Sequence, residues 1–161
     1  LYAAEKARRH GVPVMLDAGS ARPGLYELAR RCDYLVASAA FAKGLGWNLE
    51  ADTLKREKDR LGLKVLTITC GEEGSLTVAD EQFLALPAFA VKTLDTTGAG
   101  DVFHGGYIYG LLRKWGLRDT ITFASALAAM KCTAIGGRAG IPNLDGGKDF
   151  LKERGINLAD W

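Results

Sequence analysis

Helix-period and strand-like stretches alternate along the chain. Residues 1–10 place apolar and charged positions at helical spacing and end at His10-Gly11, where the glycine can close the last turn. Residues 12–16 read as a strand running into Asp17. A helix over 25–31 precedes a short apolar strand at 34–37. Ser38 can cap a helix through Gly44, and Asp52 or Thr53 another through Arg60. Residues 64–69 are β-branched and strand-like, and the turn Cys70-Gly71-Glu72-Glu73-Gly74 leads to a hairpin partner at 75–78. Further strand-like pieces lie at 83–85 and 88–91. Beyond Asp95 the pattern becomes helical: an apolar helix over 99–115, an alanine-rich, wholly buried one over 118–134, and a short last one over 147–154.

Helices interleaved with apolar strands predict an α/β fold, three layers deep (α/β/α, Rossmann-like), around a mostly parallel sheet. No internal repeat, low-complexity tract or linker interrupts the 161 residues. The chain opens at Leu1 inside a helical pattern, so it reads as part of a longer polypeptide.

Composition narrows the function. The 21 basic and 19 acidic residues leave a net charge of +2, which offers no footprint for nucleic acid and no acidic tail. No run approaches the roughly 20 apolar residues of a membrane helix, and no signal peptide opens the chain, so a cytoplasmic protein without membrane contact is expected. Cys32, Cys70 and Cys132 lie far apart, in neither a disulfide framework nor a zinc spacing, and read as reduced thiols. Glycine stands out, at 20 residues where average usage gives about 11.

The most informative stretch is Asp95-Thr96-Thr97-Gly98-Ala99-Gly100-Asp101-Val102-Phe103. Small residues where a loop becomes a helix leave the first backbone N–H groups uncovered. Those donors lie at the positive end of the helix dipole and suit an anion, phosphate above all. Asp101 follows within the first turn. A carboxylate there repels a bound phosphate, yet it makes sense as the base that takes the proton of a hydroxyl attacking phosphorus. The plainer reading is that Asp101 only complements the dipole. Rival motifs fail. There is no Walker A loop, Phe103 stands where a dinucleotide fingerprint needs a third glycine, no Gly-x-Ser-x-Gly elbow occurs, and neither histidine lies in a metal-binding pattern.

This stretch resembles the C-terminal signature of the ribokinase-like (PfkB) carbohydrate kinases. Thr69-Cys70-Gly71-Glu72-Glu73-Gly74 resembles the family's Thr-x-Gly-x-x-Gly nucleotide turn, and Lys131-Cys132-Thr133-Ala134-Ile135-Gly136 its adenine-side helix and loop. The resemblance covers essentially the whole chain and maps onto the C-terminal half of a family member, without the sugar-binding part and the lid that often builds a homodimer.

It implies an ATP-dependent sugar kinase with Asp101 as general base and the Gly98, Ala99 and Gly100 backbone as anion hole. Thr69, Gly71 and Gly74 would border the ribose and phosphates of ATP, and Ala128, Cys132 and Ile135 would line the adenine pocket. Asp95, Thr97, Gly136 and Gly140 match positions that hold a monovalent cation such as K+ in several relatives, and Mg2+ would accompany ATP. Two alternatives stay open: a nucleoside or other small-alcohol kinase of the same family, and a silent nucleotide- or sugar-binding regulator.

The sequence departs from the family at Ser38-Ala39-Ala40-Phe41, where many members carry Asn-x-x-Glu. Residues 36–46 instead resemble the matching segment of ketohexokinase and sulfofructose kinase, which suggests a ketose as acceptor. Asp17 and Arg22 match a strand-end Asp-x-x-x-x-Arg segment, with Arg22 expected on the surface. His104, Trp47 and Trp115 read as structural. Lys131 reads either as a phosphate contact or as a solvated helix end.

Overall fold

The β-branched run at 65–69 lies at the middle of a five-stranded sheet. The structure, a computed structural model, describes residues 1–158. Strands β1 (Met15–Ala18), β2 (Tyr34–Ser38), β3 (Val65–Thr69), β4 (Ser75–Ala79) and β5 (Gln82–Leu86) lie side by side in chain order. β1, β2 and β3 run parallel, with Asp17 opposite Val36 and Val36 opposite Thr67. β4 runs antiparallel to β3 with Thr67 opposite Thr77. The sheet is therefore parallel on one side and antiparallel on the other, because residues 70–74 are too few for a crossover and close a hairpin instead.

The chain forms two compact units, Leu1–Ala85 and a second from Leu86 onward. In the first, α1 (Tyr2–Arg9), α2 (Leu25–Ala29), α3 (Ala39–Gly44) and α4 (Ala51–Leu61) accompany the sheet. Its core gathers Leu35, Leu66, Ile68, Val78, Phe41 and Leu54, none of them exposed. β3 is buried on both faces. Leu66 and Ile68 enter that core, while the hydroxyls of Thr67 and Thr77 meet at 3.0 Å on the other side.

The second unit holds α5 (Ala99–Leu112), α6 (Leu117–Lys131) and α7 (Leu144–Lys152). α5 and α6 approach closely because Gly106 and Gly110 present bare backbone to Ala124 and Thr120. Trp115, Phe123 and Leu151 fill the cluster beyond, with Trp115 and Phe123 edge to face at 5.3 Å.

Several elements depart from expectation, each for a local reason. β1 starts at Met15, not residue 12, because Pro13 has no N–H and the Val14 N–H is taken by the Asp33 carboxylate at 2.9 Å. α4 begins after Glu50 rather than at Asp52 or Thr53, because Asn48 accepts the Glu50 N–H and ends the preceding turn there. Residues 88–91 form no strand. Phe89 packs instead on Phe150, ring centres 5.4 Å apart. α5 stops at Leu112, not 115, because Lys114 turns to φ 59° and the Trp115 N–H returns to Gly110 O at 3.0 Å. α6 ends at Lys131 and is half-buried along much of its length, not wholly buried, with Arg118 exposed. α7 starts at Leu144 because Asn143 Oδ1 accepts the Gly146 N–H at 2.8 Å.

The three cysteines are free, and burial pushes the Cys32 and Cys70 thiols up, as inert thiols require. Among the described residues no helix is long and apolar enough to cross a membrane.

Candidate active site

Gly98 sits at the N-cap of α5 with φ 79°, in the left-handed region. That conformation suits glycine and strains any other residue. Space demands it too, since a Cβ on Gly98 would lie 3.1 Å from the Gly137 carbonyl oxygen. The turn carries no side-chain cap. Ala99 N–H bonds Thr96 O at 3.0 Å and Val102 N–H bonds Gly98 O at 3.0 Å. The N–H groups of Gly98, Gly100 and Asp101 meet no acceptor among the described residues.

The carboxylate of Asp101 stands in the same turn as these donors, one of which is its own N–H. Its side chain is exposed and makes no hydrogen bond or ion pair among the described residues. It opens on a cleft of about 310 Å³ whose floor is Gly98, Gly105 and Gly106 and whose walls are Leu127, Gly137 and Ile141. The sequence reading missed these walls. Gly105 and Gly106 follow Asp101 by one turn of helix, and that spacing was the available signal for the floor. Three unpaired donors at the positive end of a dipole, with a free carboxylate beside them, can hold an anion and accept a proton next to it.

Asp95 shapes the turn. Its Oδ1 accepts the Thr97 N–H at 2.8 Å and its Oδ2 the Gly136 N–H at 2.7 Å. Hydrogen bonds from Thr97, then from Gly136, with the Lys131 charge adding to them, hold this carboxyl at about 2, below the ordinary 3.8. Its own N–H and that of Leu94 reach back to Cys132 O, at 3.2 and 2.8 Å. Gly140 presses on the main chain of Lys131, where a Cβ would collide with the carbonyl. The structure thus brings Asp95, Thr97, Gly98, Gly136 and Gly137 together around the start of α5.

Lys131 is neither a solvated helix end nor a surface phosphate contact. It is fully buried, and its Nζ donates to Asp95 O at 2.7 Å because the Asp95 turn folds over the end of α6. His104 pairs its Nδ1 with Gly100 O at 2.7 Å. Trp47 packs edge-on against Phe41, and Trp115 is buried, both as expected. Arg22 is on the surface.

This chain matches the pfkB family carbohydrate kinase description over residues 2–144. It belongs to the pfkB carbohydrate kinase family. It is similar to the ribokinase of Lactococcus lactis, 31% identical over 159 residues, covering 98% of this chain and 51% of that one. The Thermotoga maritima ribokinase structure superposes with a TM-score of 0.81 at 28% identity, covering 93% of this chain and 52% of the other. The Arabidopsis thaliana ribokinase complexed with ribose and ATP gives 0.83 at 25% identity, covering 92% and 50%. The chain spans about half the length of the curated relatives it matches. Its fold is ribokinase-like.

In this pfkB family chain the Thr-x-Gly-x-x-Gly turn belongs to the first unit. A single 3₁₀ turn (Gly71–Glu73) closes with Cys70 N–H on Gly74 O at 2.8 Å. The Thr69 hydroxyl is directed to Ala37 O at 3.3 Å. Ser38, where many family members carry Asn, caps α3. Its Oγ accepts the Phe41 N–H at 3.1 Å and donates to Gly19 O at 2.7 Å. Of the three adenine-side positions, Cys132 is buried, Ala128 half-buried, and Ile135 is 77% exposed.

Proposed function

We propose that this chain carries the phosphoryl-transfer half of an ATP-dependent sugar kinase. A sugar hydroxyl attacks the γ-phosphorus as ADP leaves, Asp101 accepts its proton, and the open N–H groups of Gly98, Gly100 and Asp101 receive the charge that develops on the transferred group; Ala99, expected among them, spends its N–H on Thr96 O. The observation that carries this is the Asp101 carboxylate, without a hydrogen-bond or ion-pair partner among the described residues and in the same turn as three open N–H donors, its own included. Because Asp101 bonds no backbone N–H of this turn among the described residues, the donors beside it stay open to an anion.

The open donors fit the phosphates of ATP, and Mg2+ would accompany the nucleotide to neutralise its charge. In this reading Thr69, Gly71 and Gly74 border the ribose and phosphates, and Ala128, Cys132 and Ile135 face the adenine. The exposed side chain of Ile135 offers an apolar surface of the kind that covers a base. The gripping of the sugar and the lid that pairs two copies belong to the part of a family member that this chain does not span. Likeness to ribokinases favours a pentose, while the segment at Ser38 favours a ketose.

Sugar-dependent ADP release by the intact protein tests the proposal. The assay uses MgATP and a panel of pentoses, ketoses and nucleosides, with Asp101→Asn alongside. Turnover on a sugar that the variant abolishes supports the kinase. Turnover on nucleosides alone reassigns the acceptor, and ATP binding without any turnover favours a silent regulator.

A further inference from the structure

Lys131 ends α6 with a side chain that has no exposed surface. Charged groups are buried only where something compensates the charge. Here that is the Asp95 turn. The ammonium donates to the Asp95 main-chain oxygen at 2.7 Å, and the Asp95 carboxylate is close enough for the two charges to attract.

Asp95, Thr97, Gly136 and Gly140 are the residues to which the family resemblance assigns a monovalent cation. At Asp95 the arrangement is already filled. Both carboxylate oxygens of Asp95 accept backbone N–H groups, and its carbonyl already receives the ammonium. Gly140 is pressed against the Lys131 main chain. A mobile cation entering this cluster would meet the fixed Lys131 ammonium on the same Asp95 carbonyl, and the two like charges repel.

We propose that Lys131 supplies from within the chain the positive charge a bound monovalent cation would supply, and so holds the Asp95–Gly98 turn open to its anion. Lys131 is a positioning residue in this account. It touches the Asp95 carbonyl, the Asp95 carboxylate holds Thr97 N–H, and Gly98 follows directly. Only the activity arm of the test rests on the kinase reading.

The test compares the intact wild-type protein with Lys131→Met in potassium, sodium and tetramethylammonium chloride at equal ionic strength. It follows melting temperature and, separately, sugar-dependent ADP release. Wild type is expected to show the same melting temperature and turnover in all three salts. Lys131→Met is expected to lose about 100-fold in kcat, as misplaced catalytic groups do, and to be stabilised by potassium where wild type is not. Potassium-specific stabilisation or activation of wild type overturns the proposal, as does wild-type turnover by Lys131→Met. If the variant folds in no salt, the wild-type series still decides. If no acceptor turns over, the kinase reading fails while the melting series goes on testing Lys131.

Discussion

The carboxylate of Asp95 accepts the N–H of Gly136 at 2.7 Å across 41 residues of sequence. That bond ties the turn before α5 to the loop after α6. The start of α5, with its open N–H groups, is thus held from outside the helix, by a carboxylate whose charge strengthens its hold on two N–H groups at once.

Acid should therefore loosen this end of the molecule. The Asp95 pKa is about 2 in the folded chain against an ordinary 3.8, so its stabilising effect is complete above that ordinary value. It is lost as pH falls through the folded value, because the unfolded chain binds the proton first. Urea midpoints of wild type and Asp95→Asn across this range should converge as pH drops. A difference that stays constant with pH would show that the carboxylate charge is not what matters.

Asp101→Asn should separate chemistry from stability. In the proposed role the variant removes a general base, which costs about 100- to 10,000-fold in rate. The side chain is exposed and has no partner among the described residues, so thermal unfolding should not move. Stopped-assay ADP release and a melting curve on the same preparation check both halves of the statement.

Gly98→Ala should damage both. A left-handed residue with a Cβ costs roughly 1–2 kcal/mol, and here the added carbon also meets Gly137 O at 3.1 Å. Relief requires the turn to rotate, which moves the open N–H groups. Denaturant unfolding should report the stability loss, and steady-state kinetics a fall in kcat.

The α5–α6 seam offers an internal control. A Cβ at Gly106 would lie 2.9 Å from the Ala124 Cα, a backbone atom that cannot step aside, whereas at Gly105 it meets nothing within 4 Å. Gly106→Ala should cost about 1–3 kcal/mol by overpacking. Gly105→Ala should gain up to about 1 kcal/mol from helix propensity. Paired denaturation curves check the opposite signs.

How much of this was legible beforehand depends on how local each cause is. Ser38 as a cap and the 75–78 hairpin partner follow from residues within a few positions of each other, and both are present in the structure. The open N–H groups at Gly98 and Gly100 were readable for the same reason. Asp33 taking the Val14 N–H across 19 residues, or Phe89 leaving its strand-like run to pack on Phe150, depends on distant partners that no local pattern encodes. Lys131 is the plainest case. Charge and position suggested a solvated end, and only the fold of the Asp95 turn over α6 buries it. The apolar walls at Leu127 and Ile141 were hidden likewise, since the cleft exists only once α5, α6 and the loop beyond them are assembled.

The Thr67 and Thr77 hydroxyls that meet across β3 and β4 are ten residues apart in sequence, whereas Thr69 reaches Ala37 across 32. Closing the longer loop costs about 1 kcal/mol more entropy, and distant pairings form later. On loop entropy the hairpin is expected to close before the parallel ladder. The 70–74 turn at its tip would then form ahead of the ladder beside it. A substitution at Gly71 or Gly74 would then register twice: first as slowed hairpin closure in refolding, and only afterwards, in the proposed kinase, as weakened grip on a nucleotide.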